Sequence, residues 1–217
     1  MKNGKSLFYL TAVAWMAFVI SVSIAIPILC RPFYYAHIKP YQLESYSGYS
    51  EAQIKEAYDD MLDFCIYGGE FKTGDMKWSE SGKAHFEDVG KLFRLDFGVC
   101  IVSAVIIILL EIRNRKKFPY TVKGHDGKFY AGIYTLIFFA MIAVLGAIDF
   151  SRFFVIFHHV FFPGKTNWLF YPDEDEIINV LPEEYFRNCA IAIVVILIVL
   201  CLILIFNEKR RLRGKKA

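Results

Sequence analysis

Four long runs of apolar residues alternate with polar segments along the chain. The first covers residues 7–29 and contains no charged side chain, and further runs cover about 92–112, 129–149 and 188–206. At about 1.5 Å per residue, runs of this length cross a hydrocarbon core of about 30 Å. The pattern predicts an all-α membrane protein in which residues 1–217 form a single domain with four transmembrane helices.

The second run is the shortest in its uninterrupted part. Residues 97–110 form an apolar run of only fourteen residues, a length that also fits a buried helix of a soluble protein. Two neighbouring features favour a membrane helix. The helical pattern continues upstream through Leu92 and Phe93, and a dense basic cluster follows at 113–117.

The polar segments 31–91 and 151–187 are predicted to form a cap on one side of the membrane. Within the first, Ser50 is a good helix N-cap for an amphipathic helix over residues 50–67. Gly68 and the glycine after it end this helix, and the following stretch predicts turns with a possible short hairpin. The apolar positions at helical spacing are Ile54, Ala57, Tyr58, Met61, Leu62 and Cys65.

Basic residues orient the four helices. The amino-terminal tail has two, and the 113–128 connector and the carboxyl tail each have six against one acidic residue. The two cap segments, counted as 31–96 and 151–187, sum to eleven basic and eighteen acidic residues. The positive-inside rule then makes both termini cytoplasmic and the cap extracellular. If the second run did not cross the membrane, the basic connector and the basic carboxyl tail would lie on opposite faces of the membrane. A three-helix arrangement is therefore rejected.

Composition excludes several classes of protein. The chain is 56% hydrophobic and 17% aromatic, which is too apolar for an ordinary soluble domain. Four of its five cysteines lie in or beside apolar runs, so no disulfide framework is predicted. The net charge of +3 conceals the topological asymmetry described above and predicts no nucleic-acid partner. No obligate protein partner is evident.

Residues 151–187 have an unusual composition for a connector, since they place two adjacent histidines, His158 and His159, among many aromatic side chains. Bulky aromatics favour the boundary between membrane and water. Apolar surroundings lower the pKa of a histidine and favour the neutral base. The simpler alternative is that these histidines reach the lipid headgroups without doing chemistry.

A third histidine, His85, precedes the second apolar run. His85, Asp88 and Leu92 have i, i+3, i+7 spacing, which places imidazole and carboxylate on one helix face. Asp88 is therefore a candidate for fixing the tautomer of His85, although this segment taken alone favours a solvated helix-cap pair. Histidines from two outward segments near one interface make an acid–base pair feasible.

Other polar residues have simple structural explanations beside functional ones. Asp149 and Arg152 flank the end of the third run and can form an i, i+3 ion pair. Glu183 is placed either to cap the fourth helix or to orient a histidine. No metal site is predicted, because adjacent histidines point in different directions and no HExxH or CxxC motif is present.

Two segments resemble the bacterial lipoprotein intramolecular transacylase family. HFEDVGKLF at 85–93 is similar to the family's His-x-x-Asp-Val pattern at the start of its second membrane helix. FHHVFFPGKTNWLFYPDEDEIINVLPEEYF at 157–186 is similar to its Phe-His-x-x-Phe-Phe-Pro-Gly run and a following Leu-Pro-Glu. Gly90 departs from the pattern, in which a lysine is expected after Asp88 and Val89.

The resemblance implies an enzyme of the bacterial cell membrane that needs no cofactor. Its substrate would be a diacylglyceryl lipoprotein held in membrane lipid. The sn-2 acyl chain would move to the α-amino group of the lipoprotein's amino-terminal cysteine, giving the lyso-form. The matching positions make His85 and His158 the catalytic pair, with His158 favoured as the base and the assignment left open. The candidate supporting and substrate-binding residues are Asp88, Asp149, Arg152, Phe157, Phe161, Phe162, Trp168 and Glu183.

Two other functions remain open on the sequence. The first is a non-enzymatic membrane module that binds lipid or lipoprotein, in which the aromatics grip acyl chains and the histidines are incidental. The second is a small transporter, against which the lack of charges at mid-membrane counts.

Overall fold

A computed structural model of the protein describes residues 2–114 and 120–214. Within these ranges the regular structure is helical, apart from isolated bridges between Thr73 and Asp75 and between Val122 and His125. Residues 115–117 of the predicted basic cluster and the last three residues of the basic tail lie outside the described residues. The helices are α1 (Lys2–Leu29), α2 (Arg31–Ile38), α3 (Leu43–Ser47), α4 (Glu51–Tyr67), α5 (Glu80–Asn114), α6 (Gly127–Ile148), α7 (Phe150–Phe161) and α8 (Glu183–Gly214), with a 3-10 helix at Glu176–Val180.

Four of these helices, α1, α5, α6 and α8, are long and apolar enough to cross a membrane. The predicted fold class is therefore confirmed. At 35 residues α5 is about 52 Å long, well beyond the thickness of a hydrocarbon core of about 30 Å. Because seven charged residues lie between Glu80 and Asp96, this first part of α5 extends outside the hydrocarbon.

The described chain divides into two compact units. Unit 1 comprises Met1–Ile26, Asp96–Val144 and Ile191–Ala217. Its buried cluster consists of Val19, Ala131, Leu197, Cys201 and Leu204. Helices approach closely at glycines here: a Cβ on Gly132 would lie 3.0 Å from the carbonyl oxygen of Cys201.

Unit 2 comprises Pro27–Leu95 and Leu145–Ala190 and is built around aromatic rings. The rings of Tyr34 and Tyr58 stack with centroids 3.7 Å apart. The Tyr34 hydroxyl donates to the carbonyl oxygen of Val180 at 2.8 Å, and the hydroxyls of Tyr58 and Tyr185 are 3.0 Å apart. Polar atoms in this core are therefore satisfied by partners distant in sequence.

Helix α4 confirms the amphipathic prediction. Ser50 is its N-cap and forms a capping box with Gln53, and Gly68 ends it with a positive φ of 76°. All six predicted apolar positions are buried, together with Phe64. The possible hairpin after it was wrong, since only the isolated bridge at Thr73 forms before α5 begins at Glu80.

The segment between α7 and α8 holds the start of α5. The buried Asp175 carboxylate accepts hydrogen bonds from the backbone N–H and the hydroxyl of Ser79, both at 2.8 Å. Glu176 accepts from the backbone N–H of Lys77 and from the Tyr49 hydroxyl. These bonds fix the first turns of α5, on which His85 lies.

Candidate active site

The structure brings His85 and His158 together. His85 lies on α5 and His158 on α7, both within unit 2, and their ring centroids are 5.8 Å apart. Both side chains are buried, with 5% and 7% of their surfaces exposed. Two imidazoles from positions more than seventy residues apart thus lie next to each other in the buried part of unit 2.

His158 has a defined tautomer. Its Nδ1 lies 2.8 Å from the carbonyl oxygen of Phe154, one turn earlier on α7. A carbonyl can only accept a hydrogen bond, so Nδ1 carries the hydrogen and Nε2 of the neutral ring carries the lone pair. Burial lowers the pKa of His158, and the bond to Phe154 opposes this only in part.

His85 is enclosed by aromatic rings. Its ring centroid lies 4.9 Å from that of Phe162 and 5.4 Å from that of Phe170. Among the described residues its buried Nδ1 has no hydrogen-bond partner. Burial lowers the pKa of His85 to about 4, assisted by the nearby His158, so the ring is neutral at pH 7.

Asp88 does not orient His85 in the predicted way. Its carboxylate accepts hydrogen bonds from the ammonium groups of Lys165 at 2.5 Å and Lys91 at 3.0 Å, and a longer one from Asn167 at 3.4 Å. Although burial opposes it, the two ammonium groups hold the pKa of Asp88 at about 2. The prediction that Asp88 fixes the His85 tautomer was therefore wrong, because lysines occupy the carboxylate.

The four predicted aromatic residues fall into two groups. Phe162 is buried and touches both histidines, and Trp168 stacks on His158 with centroids 4.7 Å apart. Phe157 and Phe161 are 39% and 49% exposed, with ring centroids 4.6 Å apart, and the Phe157 ring also meets that of His158 edge-on at 5.6 Å. The first group forms the buried wall of the histidine site, whereas the second forms its exposed edge.

This arrangement can be compared with known proteins. A model of the family described as "Lipoprotein intramolecular transacylase Lit" matches residues 9–186, which is most of the chain. The chain belongs to this family. No curated protein matches it.

Solved structures of a Lit protein from Bacillus cereus share the fold. One matches with a TM-score of 0.89 at 23% identity, covering 99% of this chain and 98% of that one. A variant of the same protein with a histidine-to-arginine mutation gives 0.83 at 21% identity, covering 99% and 94%. A variant with a histidine-to-alanine mutation gives 0.81 at 22% identity, covering 98% and 96%. These structures are described as membrane-integral, in agreement with the four long apolar helices.

Membership of the Lit family confirms the predicted class of enzyme, an acyltransferase in a multi-pass membrane protein. The structure also explains the glycine at position 90, where the sequence motif predicts a lysine. The expected lysine is missing at this position, and a Cβ there would lie 2.8 Å from the carbonyl oxygen of Cys65 on α4. Glycine therefore permits α4 and α5 to touch, while Lys165 brings a cation to Asp88 from another segment.

Three predicted supporting residues lie away from the histidine rings in this Lit-family chain. Asp149 is the N-cap of α7 and accepts from the backbone N–H of Arg152 at 2.9 Å. The expected side-chain ion pair between Asp149 and Arg152 is absent among the described residues, since the aspartate serves as a cap. Glu183 accepts a hydrogen bond from the Ser151 hydroxyl and so joins the starts of α8 and α7 instead of orienting a histidine.

His159 is exposed, and its ring meets the edge of Trp168 at 5.6 Å. Neighbouring positions on α7 thus separate one buried histidine from one exposed histidine, as expected for a helix. Within the described ranges no group of three His, Cys, Asp or Glu side chains is placed to hold a metal ion.

Sequence reasoning missed Lys165, Asn167 and Phe170. All three follow the Pro163-Gly164 turn in the second motif, so the motif itself contained the signal. Their importance comes from tertiary contacts with Asp88 and His85, which no local pattern reveals.

Proposed function

We propose that this chain moves the sn-2 acyl chain of a diacylglyceryl lipoprotein to the α-amino group of the lipoprotein's amino-terminal cysteine, leaving the lyso-form. One observation carries the proposal: the 5.8 Å separation of two buried imidazoles within an aromatic enclosure. Paired imidazoles supply the base and the hydrogen-bond donor that acyl transfer from oxygen to nitrogen requires.

His158 is the base in this proposal. An α-ammonium group of pKa about 8 must lose a proton before it can attack, and the lone pair on Nε2 of His158 can accept one. The amine nitrogen then forms a bond to the ester carbonyl carbon. Bond formation makes this nitrogen positive, and His158, which has passed the first proton to water, takes a second proton from it. As the resulting tetrahedral intermediate collapses, the carbon–oxygen bond to glycerol breaks, and His158 gives this second proton to the glycerol oxygen.

His85 is the hydrogen-bond donor to the oxyanion in this proposal. Because burial keeps its ring neutral, His85 carries one N–H, which can donate to the oxyanion of the tetrahedral intermediate. A neutral imidazole is suited to donate a hydrogen bond without losing its proton. The two histidines therefore have different roles, and the difference follows from their surroundings.

The reaction needs no separate acyl donor. The amine nitrogen, the two cysteine carbons, sulfur, two glycerol carbons, the ester oxygen and the carbonyl carbon close an eight-membered ring. Holding such a flexible molecule in attack geometry can contribute up to about 7–11 kcal/mol to catalysis. Phe162, Phe170 and Trp168 supply rigid surfaces against which it can be folded.

We further propose that unit 2 faces the outside of a bacterial cell membrane and that both termini are cytoplasmic. The support is the charge distribution, with six basic residues in each of the connector and the carboxyl tail. The substrate would then lie in membrane lipid at the outer surface. A cysteine-accessibility assay with an impermeant reagent on a cysteine introduced at Ser50 tests this orientation.

The activity is tested by reconstituting the protein with a diacylglyceryl lipopeptide and following it by tandem mass spectrometry. The expected product has the same mass as the substrate, but one acyl chain has moved from sn-2 to the amino-terminal nitrogen. A doubly substituted His85→Ala, His158→Ala protein is the control. An unchanged sn-2 ester with the natural protein, or equal conversion by the double variant, would contradict the proposal. Binding of the lipopeptide without conversion would favour a non-enzymatic lipid-binding role.

A further inference from the structure

Asp88 and Lys165 connect α5, which carries His85, to the turn after α7, the helix that carries His158. Asp88 lies one turn after His85 on α5, and its buried carboxylate accepts a hydrogen bond from the Lys165 ammonium group at 2.5 Å. Lys165 follows the turn that ends α7, and about half of its side chain is exposed. A cation that reaches from a turn to a buried carboxylate fixes the turn in place.

The segment fixed in this way contacts both histidines. Trp168 donates its ring N–H to the carbonyl oxygen of Lys165 at 3.0 Å, and the same indole stacks on His158. Asn167 donates a weaker hydrogen bond to Asp88 at 3.4 Å. Phe162, three residues before Lys165, touches the rings of both histidines. The position of Lys165 therefore determines that of the aromatic wall.

The same ammonium group affects the charge near His85. The groups that act on this ring are His158 from α7, Lys165 from the turn after α7, and Asp88 from its own helix. Asp88 alone would favour protonation of His85, and Lys165 opposes it. The thiol of Cys65 on α4 is bonded to the carbonyl oxygen of Phe86 and stays uncharged, because burial raises its pKa to about 12.

We propose that Lys165 is a positioning residue for the acyl transfer, acting through Asp88 both to hold the Trp168 segment against His158 and to cancel the carboxylate charge beside His85. This inference rests on the proposed function. It assigns a positioning role to a side chain that, from its exposure alone, would be taken for an ordinary surface lysine. Lys165 does not itself meet the reacting atoms.

Three variants test the proposal. Lys165→Met removes the charge and the bond while keeping an apolar stem of similar length. Lys165→Arg keeps the charge. Lys91→Met is the matched control, because Lys91 also bonds to Asp88 but is 66% exposed and lies on α5 instead of the turn.

We expect a large loss of kcat in only one of the three variants. Lys165→Met lowers kcat about 10- to 100-fold, the range expected when a catalytic group is displaced by up to about 1 Å. Lys165→Arg restores most of the activity, and Lys91→Met stays within about twofold of the natural protein, as for a surface ion pair. The acid limb of the pH–rate profile moves upward by about one pH unit in Lys165→Met only.

A second readout is independent of activity. Proteins labelled with ¹³C at the histidine rings are titrated in micelles, and the His85 signal is assigned with a His85→Gln variant. The midpoint for His85 rises in Lys165→Met by about one pH unit and returns in the double variant Asp88→Asn, Lys165→Met, which lacks both charges. In that double variant kcat stays low, because the bond between positions 88 and 165 that holds the turn in place is still missing.

The outcomes separate the two proposals. If the natural protein gives no N-acyl product, the proposed function fails, and the ring titration still decides the role of Lys165. If the natural protein is active but Lys165→Met matches Lys91→Met in kcat and in the His85 midpoint, the inference about Lys165 is overturned. Equal thermal denaturation midpoints for these two variants show that unfolding does not explain a difference between them.

Discussion

Units 1 and 2 bury different kinds of residue. The buried cluster of unit 1 consists of small and branched aliphatic residues with one cysteine, and helices come close at glycines. The core of unit 2 contains stacked tyrosines whose hydroxyls are hydrogen-bonded across more than a hundred residues of sequence. Unit 1 thus depends on close packing, and unit 2 depends on packing together with directional polar bonds.

This difference explains where chemistry can be placed. An active site needs polar groups held at fixed distances, and every fixed polar group needs partners of its own. Unit 2 supplies such partners for His158 through Phe154 and for Asp88 through Lys165. Its hydrogen-bonded aromatic core therefore serves both stability and the geometry of the histidine pair.

The largest effect should come from His158. His158→Ala removes the proposed base and should reduce the rate of acyl transfer about 10²- to 10⁴-fold, the usual contribution of a general base. The rate of N-acyl lipopeptide formation measures it. His159→Ala is the matched control on the same helix and should stay within about twofold. If the two variants lose equal activity, the distinction between the buried and the exposed histidine is wrong.

The pH dependence should show depressed histidine pKa values. Burial lowers the pKa of His158 below its usual 6.5 and that of His85 to about 4, so both rings are mainly neutral at pH 7. Activity requires neutral rings and is lost only as the pH falls through these lowered values, by about tenfold per pH unit when one proton inhibits. Initial rates between pH 4 and 9 provide the measurement. An acid limb centred above pH 6.5 would contradict the burial argument.

Glycines on the two parts of α5 offer a structural contrast. In unit 2, a Cβ at Gly90 would lie 2.8 Å from a backbone oxygen of α4, so Gly90→Ala should destabilise the protein by about 1–3 kcal/mol. In unit 1, Gly98 has no heavy atom within 4 Å of the added carbon, and Gly98→Ala should be neutral or stabilise by up to about 1 kcal/mol. Thermal denaturation in one detergent compares the two variants, and equal midpoints would contradict the close contact of α4 and α5.

Buried hydroxyls should give the smallest effects and the most direct comparison of the cores. Tyr58→Phe in unit 2 removes the hydrogen bond between the Tyr58 and Tyr185 hydroxyls and should cost about 1 kcal/mol. The Thr135 hydroxyl in unit 1 has no hydrogen-bond partner among the described residues, so Thr135→Val should cost nothing or stabilise slightly. Denaturation midpoints test both, and a larger loss for Thr135→Val would reverse the contrast.

Much of the fold could be predicted from local patterns. Apolar length identified the four long helices, because crossing a membrane demands about twenty apolar residues in succession. Ser50 and the spacing from Ile54 to Cys65 identified α4, since its cap and its buried face are both local features. Helix α7 was missed although its apolar positions follow a helical period, because it begins only two residues after α6 ends and was interpreted as part of a connector.

The sequence predicted which residues form the candidate site better than it predicted the contacts between them. The motifs nominated His85 and His158, and the structure brings the two rings together. Lys91 is a local partner of Asp88, three residues along α5, but Lys165 was not predictable, because it lies 77 residues away and only folding brings it to the carboxylate. Asp149 and Glu183 were placed correctly at helix ends, but the sequence could not distinguish a cap from a catalytic neighbour.

The bond between Asp175 and Ser79 has a consequence for biosynthesis. Ser79 caps the first turn of α5 locally, by accepting from the N–H of Gly82, but the Asp175 carboxylate that holds Ser79 in place lies 96 residues later and is absent until that segment has been made. At about 5–20 residues per second, the ribosome takes about 5–20 s to synthesise this interval. The start of the His85 helix is therefore tied to the segment before α8 only after most of the chain has been translated.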